Sequence, residues 1–145
     1  MRIDCALLCD AATVREGLLH VLGGGVTRAG RQSYPAPVNL TLALRILVHP
    51  TEAGRQHTLV VLLQGEDGES VTELTIAFGV EDASALEAGE QISLPLPLPL
   101  PEAVQLPQPG RYSFEILIDN IHQQSVSFIA TQNDAPPVLQ GGSAL

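Results

Sequence analysis

The stretch from Pro109 to Phe128, PGRYSFEILIDNIHQQSVSF, constrains this chain more than any other. After a Pro-Gly turn signal, Tyr112, Phe114, Ile116 and Ile118 fall on every second residue, so an extended backbone puts all four on one face. Asp119-Asn120 then supplies two residues that tolerate positive φ, and Val126 and Phe128 resume the period of two. The pattern predicts a β-hairpin with an apolar stripe on one side. An isolated hairpin is marginal in water, so this one requires more strands and an opposing apolar face.

Other segments supply them. Arg2 to Leu8 predicts a covered strand, with Ile3, Cys5 and Leu7 on one face and Ala6 and Leu8 on the other. Asp10 to Gly17 reads as a loop with at most one helical turn, being too short for a helix of its own. Leu18, His20 and Leu22 share one face of the next strand and Leu19 and Val21 the other. That places His20 among apolar neighbours as a core histidine. The strand ends at Gly23-Gly24-Gly25. This triplet lacks the spacing and the Lys-Ser/Thr of a phosphate loop, so it reads as a turn needing positive φ.

Arg28 to Pro37 reads as a polar connection. Val38 to His49 alternates Val38, Leu40, Leu42 and Leu44 against Asn39, Thr41, Ala43 and Arg45, and Leu59 to Leu63 is apolar throughout, as in a strand buried on both faces. Glu66-Asp67-Gly68 is a turn leading to a strand from Val71 to Val80. Acidic Glu81 to Glu90 lacks the ligand order of a calcium loop and reads as solvated charge.

Leu94-Pro-Leu-Pro-Leu-Pro-Leu-Pro101 has a period of two, whereas polyproline II has a period of three. It predicts an edge strand with the leucines on one face. Alternate residues direct their backbone groups to alternate edges, so all four prolines strip N–H donors from the same edge. Beyond Phe128 the periodicity fades. Residues 1–130 form one expected domain and 131–145 an expected disordered tail.

The chain has 145 residues, enough to bury a core without metal or disulfide staples. Sixteen acidic residues face seven basic ones, giving a net charge of −9, and there are only three Phe, two Tyr and no Trp. Such a chain repels a phosphate backbone and offers few stacking platforms, which argues against nucleic acid. All seven basic residues are Arg, the bias of a GC-rich, bacterial source. No targeting segment or run of about 18 apolar residues occurs, so a soluble cytoplasmic protein without membrane contact is expected. Cys5 and Cys9 lie about 13 Å apart on one strand face, too far to bridge, and read as reduced thiols. No paired-histidine motif completes a zinc set, and no cofactor is expected.

Four histidines, at 20, 49, 57 and 122, are the acid/base candidates; the last three sit near turns and read as exposed. A Cys9–His20 nucleophilic pair, or a site from Asp10, Arg15, Glu16 and His20, is the enzymatic alternative. The favoured reading is a non-enzymatic interaction module with an as yet unknown protein partner. Its candidate surface is Arg15, Arg28 and Arg31, which concentrate scarce positive charge. A small-ligand or carbohydrate-binding sandwich is the other alternative.

Taken as a set, CALLCDAATVREGLLHVLGGG, Pro50-Thr-Glu-Ala-Gly-Arg-Gln-His57, the Glu-Asp-Gly turn and PGRYSFEILID resemble a family of small bacterial proteins known as a domain of unknown function. The resemblance implies an all-β single domain and brings no catalytic or binding residues. Periodicity alone leads to an all-β, antiparallel β-sandwich of about seven to nine strands, immunoglobulin-like or jelly-roll.

Overall fold

A computed structural model describes residues 1–80 and 86–133. The protein is all-β, and its strands follow from the alternations above. They are β1 (Arg2–Cys9), β2 (Ala11–Arg15), β3 (Leu18–Leu22), β4 (Arg28–Arg31), β5 (Ala36–Pro37), β6 (Thr41–Val48), β7 (Gln56–Gly65), β8 (Ser70–Gly79), β9 (Ile92–Pro99), β10 (Gln105–Leu106), β11 (Gly110–Ile118) and β12 (Ile121–Gln132). A single 3-10 turn, Pro50–Glu52, joins β6 to β7. The described residues thus hold more strands than expected, because β2, β4 and the two-residue β5 and β10 are too short to display a period of their own.

Two sheets, ordered β1-β6-β9 and β4-β12-β11-β7-β8, share one core; β2-β3 and β5-β10 form two smaller ribbons. The hairpin of β11 and β12 closes through Asp119 and Asn120 at φ 50° and 66°, as a two-residue turn of this hand requires. Tyr112, Phe114, Ile116 and Ile118 are all buried beneath it. The Phe128 ring stacks on both Phe114 and Tyr112, with centroids 5.6 and 5.8 Å apart. From the opposite sheet, Leu42, Leu44, Ile46 and Val48 of β6 close the core.

Several expectations need correction. A bulge between Ile3 and Cys5 shifts the register of β1, so Ile3 shares its face with Ala6 and Leu8 and not with Cys5 and Leu7. The loop expected over Asp10 to Gly17 is instead β2, paired with β3 through a Glu16-Gly17 turn at φ 54° and 74°. A glutamate in that left-handed position is what concealed the hairpin. The polar connection after Arg28 contains β4, which runs parallel to β12, so the architecture is not wholly antiparallel. β12 continues to Gln132 and the Asn133 amide donates to the Arg31 carbonyl, so the ladder extends past residue 130. Residues 134–145, with the rest of the expected tail, and 81–85 of the acidic loop lie outside the described residues.

β9 is an edge strand, as its proline alternation predicts. Leu94, Leu96 and Leu98 face the core opposite Ile46, Leu44 and Leu42, while Pro95, Pro97 and Pro99 face outward opposite Arg45, Ala43 and Thr41. The Leu100 amide bonds to the Leu40 carbonyl at 3.0 Å, which fixes the parity: leucine N–H groups point to β6 and the proline positions point to the free edge.

Candidate interaction surface

The ribbon of β2 and β3 lies on the outer face of the β1-β6-β9 sheet, in contact with β6 and β9. Ala12, Leu19 and Val21 face inward, and with this cover Thr41 and Ala43 on the outer side of β6 are buried. Ala11, Thr13, Arg15, Leu18, His20 and Leu22 occupy the other side of the ribbon. Leu18 is 62% exposed and Leu22 71%; Val14, near the closed end, is 41% exposed. Among the described residues only Ile121 joins them as an exposed large hydrophobe. A shallow depression of about 380 Å³ runs along the ribbon between Thr13, Arg15, His20 and Leu22.

His20 is therefore not a core histidine: strand parity was read correctly, but the face it shares with Leu18 and Leu22 is the one turned to solvent. Its distance from chemistry is equally plain. Cys9 is fully buried, its thiol donating to the Thr41 carbonyl at 3.4 Å, and burial pushes the thiol's pKa up, with the neighbouring Asp10 charge adding to the rise. Cys9 is buried with its thiol bonded to main-chain carbonyls and, among the described residues, shares no hydrogen bond with exposed His20. No hydrogen bond links Asp10, Arg15, Glu16 and His20 among the described residues. Cys5 and Cys9 are both free thiols, and no group of three His, Cys, Asp or Glu among the described residues is placed to hold a metal.

The three arginines are not brought together. Arg15 is exposed at the closed end of the ribbon, opposite Leu18. Arg28 is exposed on β4, beside Ile129 of β12 in the larger sheet. Arg31 is committed internally: its guanidinium donates to the carbonyls of Pro37 at 3.2 Å, Gly30 at 2.7 Å and Val38. It holds the chain between β4 and β6, and among the described residues only the first two of the three present a cation without a hydrogen-bonded partner.

Two polar clusters were not foreseen. On the outer face of the larger sheet, Glu115 accepts from His122 Nε2 at 2.8 Å, from Ser113 at 3.1 Å and from Ser125. Burial alone would raise the Glu115 carboxyl, but the bonds from Ser125, His122 and Ser113 outweigh it and hold the pKa below the usual value. The residue types match a hydrolytic triad, yet the wiring does not. Ser125 and Glu115 both meet the same nitrogen of His122, so no base is oriented through one ring nitrogen while activating a hydroxyl through the other. Beside the β11–β12 turn, His57 was expected at the surface but is buried at 7% exposure. Its Nδ1 meets Asp119 at 2.6 Å and its Nε2 donates to the Glu52 carbonyl at 3.0 Å. Asp119 lies 62 residues away in sequence, and no local signal reveals the pairing.

No helix among the described residues is long and apolar enough to cross a membrane. The profile of one protein family matches residues 4–131, which takes in both sheets and the β2–β3 ribbon. The chain belongs to DUF6941, a family of unknown function. The sequence resemblance thus points to the right kind of family, and the DUF6941 match ends at Thr131, within β12. None of the curated proteins matches the chain.

Proposed function

We infer that this DUF6941 member is a non-enzymatic protein-interaction module that engages its partner through the β2–β3 ribbon. The observation that carries the reading is the placement of Leu18 and Leu22, 62% and 71% exposed, together on the solvent-facing side of one two-stranded ribbon. Exposed apolar side chains are commonplace singly, but their grouping marks an interaction site. Arg15 at the ribbon's closed end adds a bidentate donor beside the apolar residues, a combination favoured at interfaces. The partner is a protein offering an apolar recess and a carboxylate. The module works in the reducing cytoplasm, a reading supported by its two free thiols.

The test compares tagged wild type with a Leu18→Ser/Leu22→Ser variant in pull-downs from host lysate at moderate salt. A stoichiometric protein retained by the wild type and lost by the variant is expected. Equal retention by both overturns the ribbon as the docking element, and no stoichiometric protein with either overturns the module itself. Both leucines are exposed, so the variant's urea midpoint stays close to that of the wild type.

A further inference from the structure

The larger sheet ends in β8, and its free edge differs in kind from that of β9. The Asp119 amide bonds to the Thr58 carbonyl at 2.9 Å, and the Thr58 amide bonds to Asp119 Oδ1 at 2.9 Å, so the backbone of Thr58 points toward the β11–β12 turn. Alternation along β7 then aims Leu59 and Val61 at β8, where their partners are Ile76 and Leu74. Glu73, Thr75 and Ala77 consequently turn both N–H and C=O away from the sheet. All three are exposed, and no strand among the described residues pairs with them. No proline, lysine or arginine interrupts β8. Where β9 loses its donors to three prolines, β8 keeps a full row of donors and acceptors.

Among the described residues, the side of the fold between these edges is also covered only in part, by β10 where it touches β8. β1 contacts β12 at one flank, which leaves β8 and β9 as the end strands of the other. Leu74, Ile76 and Phe78 on the inner face of β8 are only partly buried, as are Leu94, Leu96 and Leu98 of β9. A strand added to β8 would place its inner side chains against this apolar row.

We propose that β8 pairs with β8 of a second copy of this chain, antiparallel about a two-fold axis at Thr75, joining the two five-stranded sheets into one. The sequence of β8 fits itself in this register. Thr75 faces Thr75 of the second copy, Glu73 faces Ala77, and Leu74 faces Ile76 on the inner side. The two Glu73 carboxylates stand about 13 Å apart along the strands, beyond the screening length at physiological salt. The three outward-facing pairs exchange about six hydrogen bonds. A shift of four residues that set Glu73 opposite Glu73 would place like charges directly together, so charge selects the register. Each copy carries a net charge of −9, which opposes association at long range. The dimer therefore tightens as salt rises.

Sedimentation velocity on the full chain, from about 1 to 500 µM, spans the affinities of a small interface. Wild type shows a concentration-dependent dimer that strengthens between low and moderate salt. Thr75→Pro gives β8 the same device as β9; the Thr75 N–H serves no bond among the described residues, so the variant folds and stays monomeric. Thr75→Lys opposes two ammonium groups at the axis and weakens the dimer at least about tenfold, a loss that salt reduces. Thr75→Cys forms a disulfide-linked dimer under mild oxidation, because facing Cα atoms of a hydrogen-bonded pair sit about 5.5 Å apart, within disulfide range. A wild type that remains monomeric throughout overturns the proposal, as does a dimer that survives both Thr75→Pro and Thr75→Lys. The Leu18→Ser/Leu22→Ser variant dimerises like the wild type, which separates this edge from the ribbon.

Discussion

The perturbation His57→Gln has an effect whose dependence on pH is fixed by geometry. Both ring nitrogens of His57 meet acceptors, the Asp119 carboxylate at 2.6 Å and the Glu52 carbonyl at 3.0 Å, so both act as donors and the ring is an imidazolium. The hydrogen bond to Asp119 raises the His57 pKa above its ordinary value, the bond to Glu52 adds to this, and burial and the Arg55 charge oppose it. The Glu52 carboxylate, bonded to the Met1 amine at 2.7 Å, also faces the ring. A charge-assisted bond is worth about 1.5 to 3 kcal/mol, but Asp119 is 47% exposed, and solvent screening reduces the value to about 1 to 1.5 kcal/mol. The carbonyl bond adds about 1 kcal/mol. His57→Gln thus costs about 2 kcal/mol at pH 6, by the sum of these two contributions.

Because the folded-state pKa is raised, this stabilisation is complete below the unfolded value of about 6.5 and is lost as pH rises through the folded value. The Asp119 pKa is depressed, first by the same bond from His57 and then by the Thr58 amide. Its contribution is present above about pH 3.9 and is lost as pH falls through its folded value. The pair is therefore strongest between those limits. Urea unfolding of wild type and His57→Gln at pH 6 and pH 9, at constant ionic strength, measures the stability gap at each pH. Subtraction removes the titration of the other histidines. The gap narrows by about 1 to 1.5 kcal/mol between the two. A gap that is unchanged or wider at pH 9 refutes the argument.

Phe114 is 1% exposed and stacks on Phe128, so Phe114→Ala costs about 3 to 5 kcal/mol by denaturant unfolding. A cost below about 1 kcal/mol would mean that this aromatic does not anchor the core. Replacing Pro95, Pro97 and Pro99 by Thr restores three outward N–H donors to the β9 edge, and light scattering during concentration should show earlier aggregation. Unchanged solubility would show that the prolines do not guard that edge.

The elements legible in the sequence were those whose period survives without help from distant residues. Tyr112 to Ile118 and Leu94 to Pro99 each carry an unbroken alternation, and both faces came out as read. β1 alternates as well, but its bulge inserts a residue that sequence does not mark, and Ile3 changes sides. β4 is Arg-Ala-Gly-Arg, residues that take strand form because a neighbour offers a ladder, and in β2 the strand-favouring Thr13 and Val14 are too few to mark a strand without its partner β3. The candidate surface was legible only in part. Periodicity placed Leu18, His20 and Leu22 on one face, yet could not say whether that face met core or water. Arg31 and His57 owe their roles to carbonyls and a carboxylate supplied by other segments, and a side-chain type does not announce such partners.

The parallel pairing of β4 with β12 has a consequence for how the chain is made. β7, β8, β11 and β12 close largely through hairpins between near neighbours, whereas the Tyr34 hydroxyl donates to the Thr131 carbonyl across 97 residues of chain. A ribosome releases β4 long before it releases the strand against which β4 will lie. Until the last strand emerges, Arg28–Arg31 has no ladder to join, and Ala29 has no Ala130 beside it. Contacts of this span are slow to form, so closure of that edge is a late event in biosynthesis. Truncated nascent chains ending before β12 would carry an unpaired β11 edge, the stretch such intermediates most need shielded from one another.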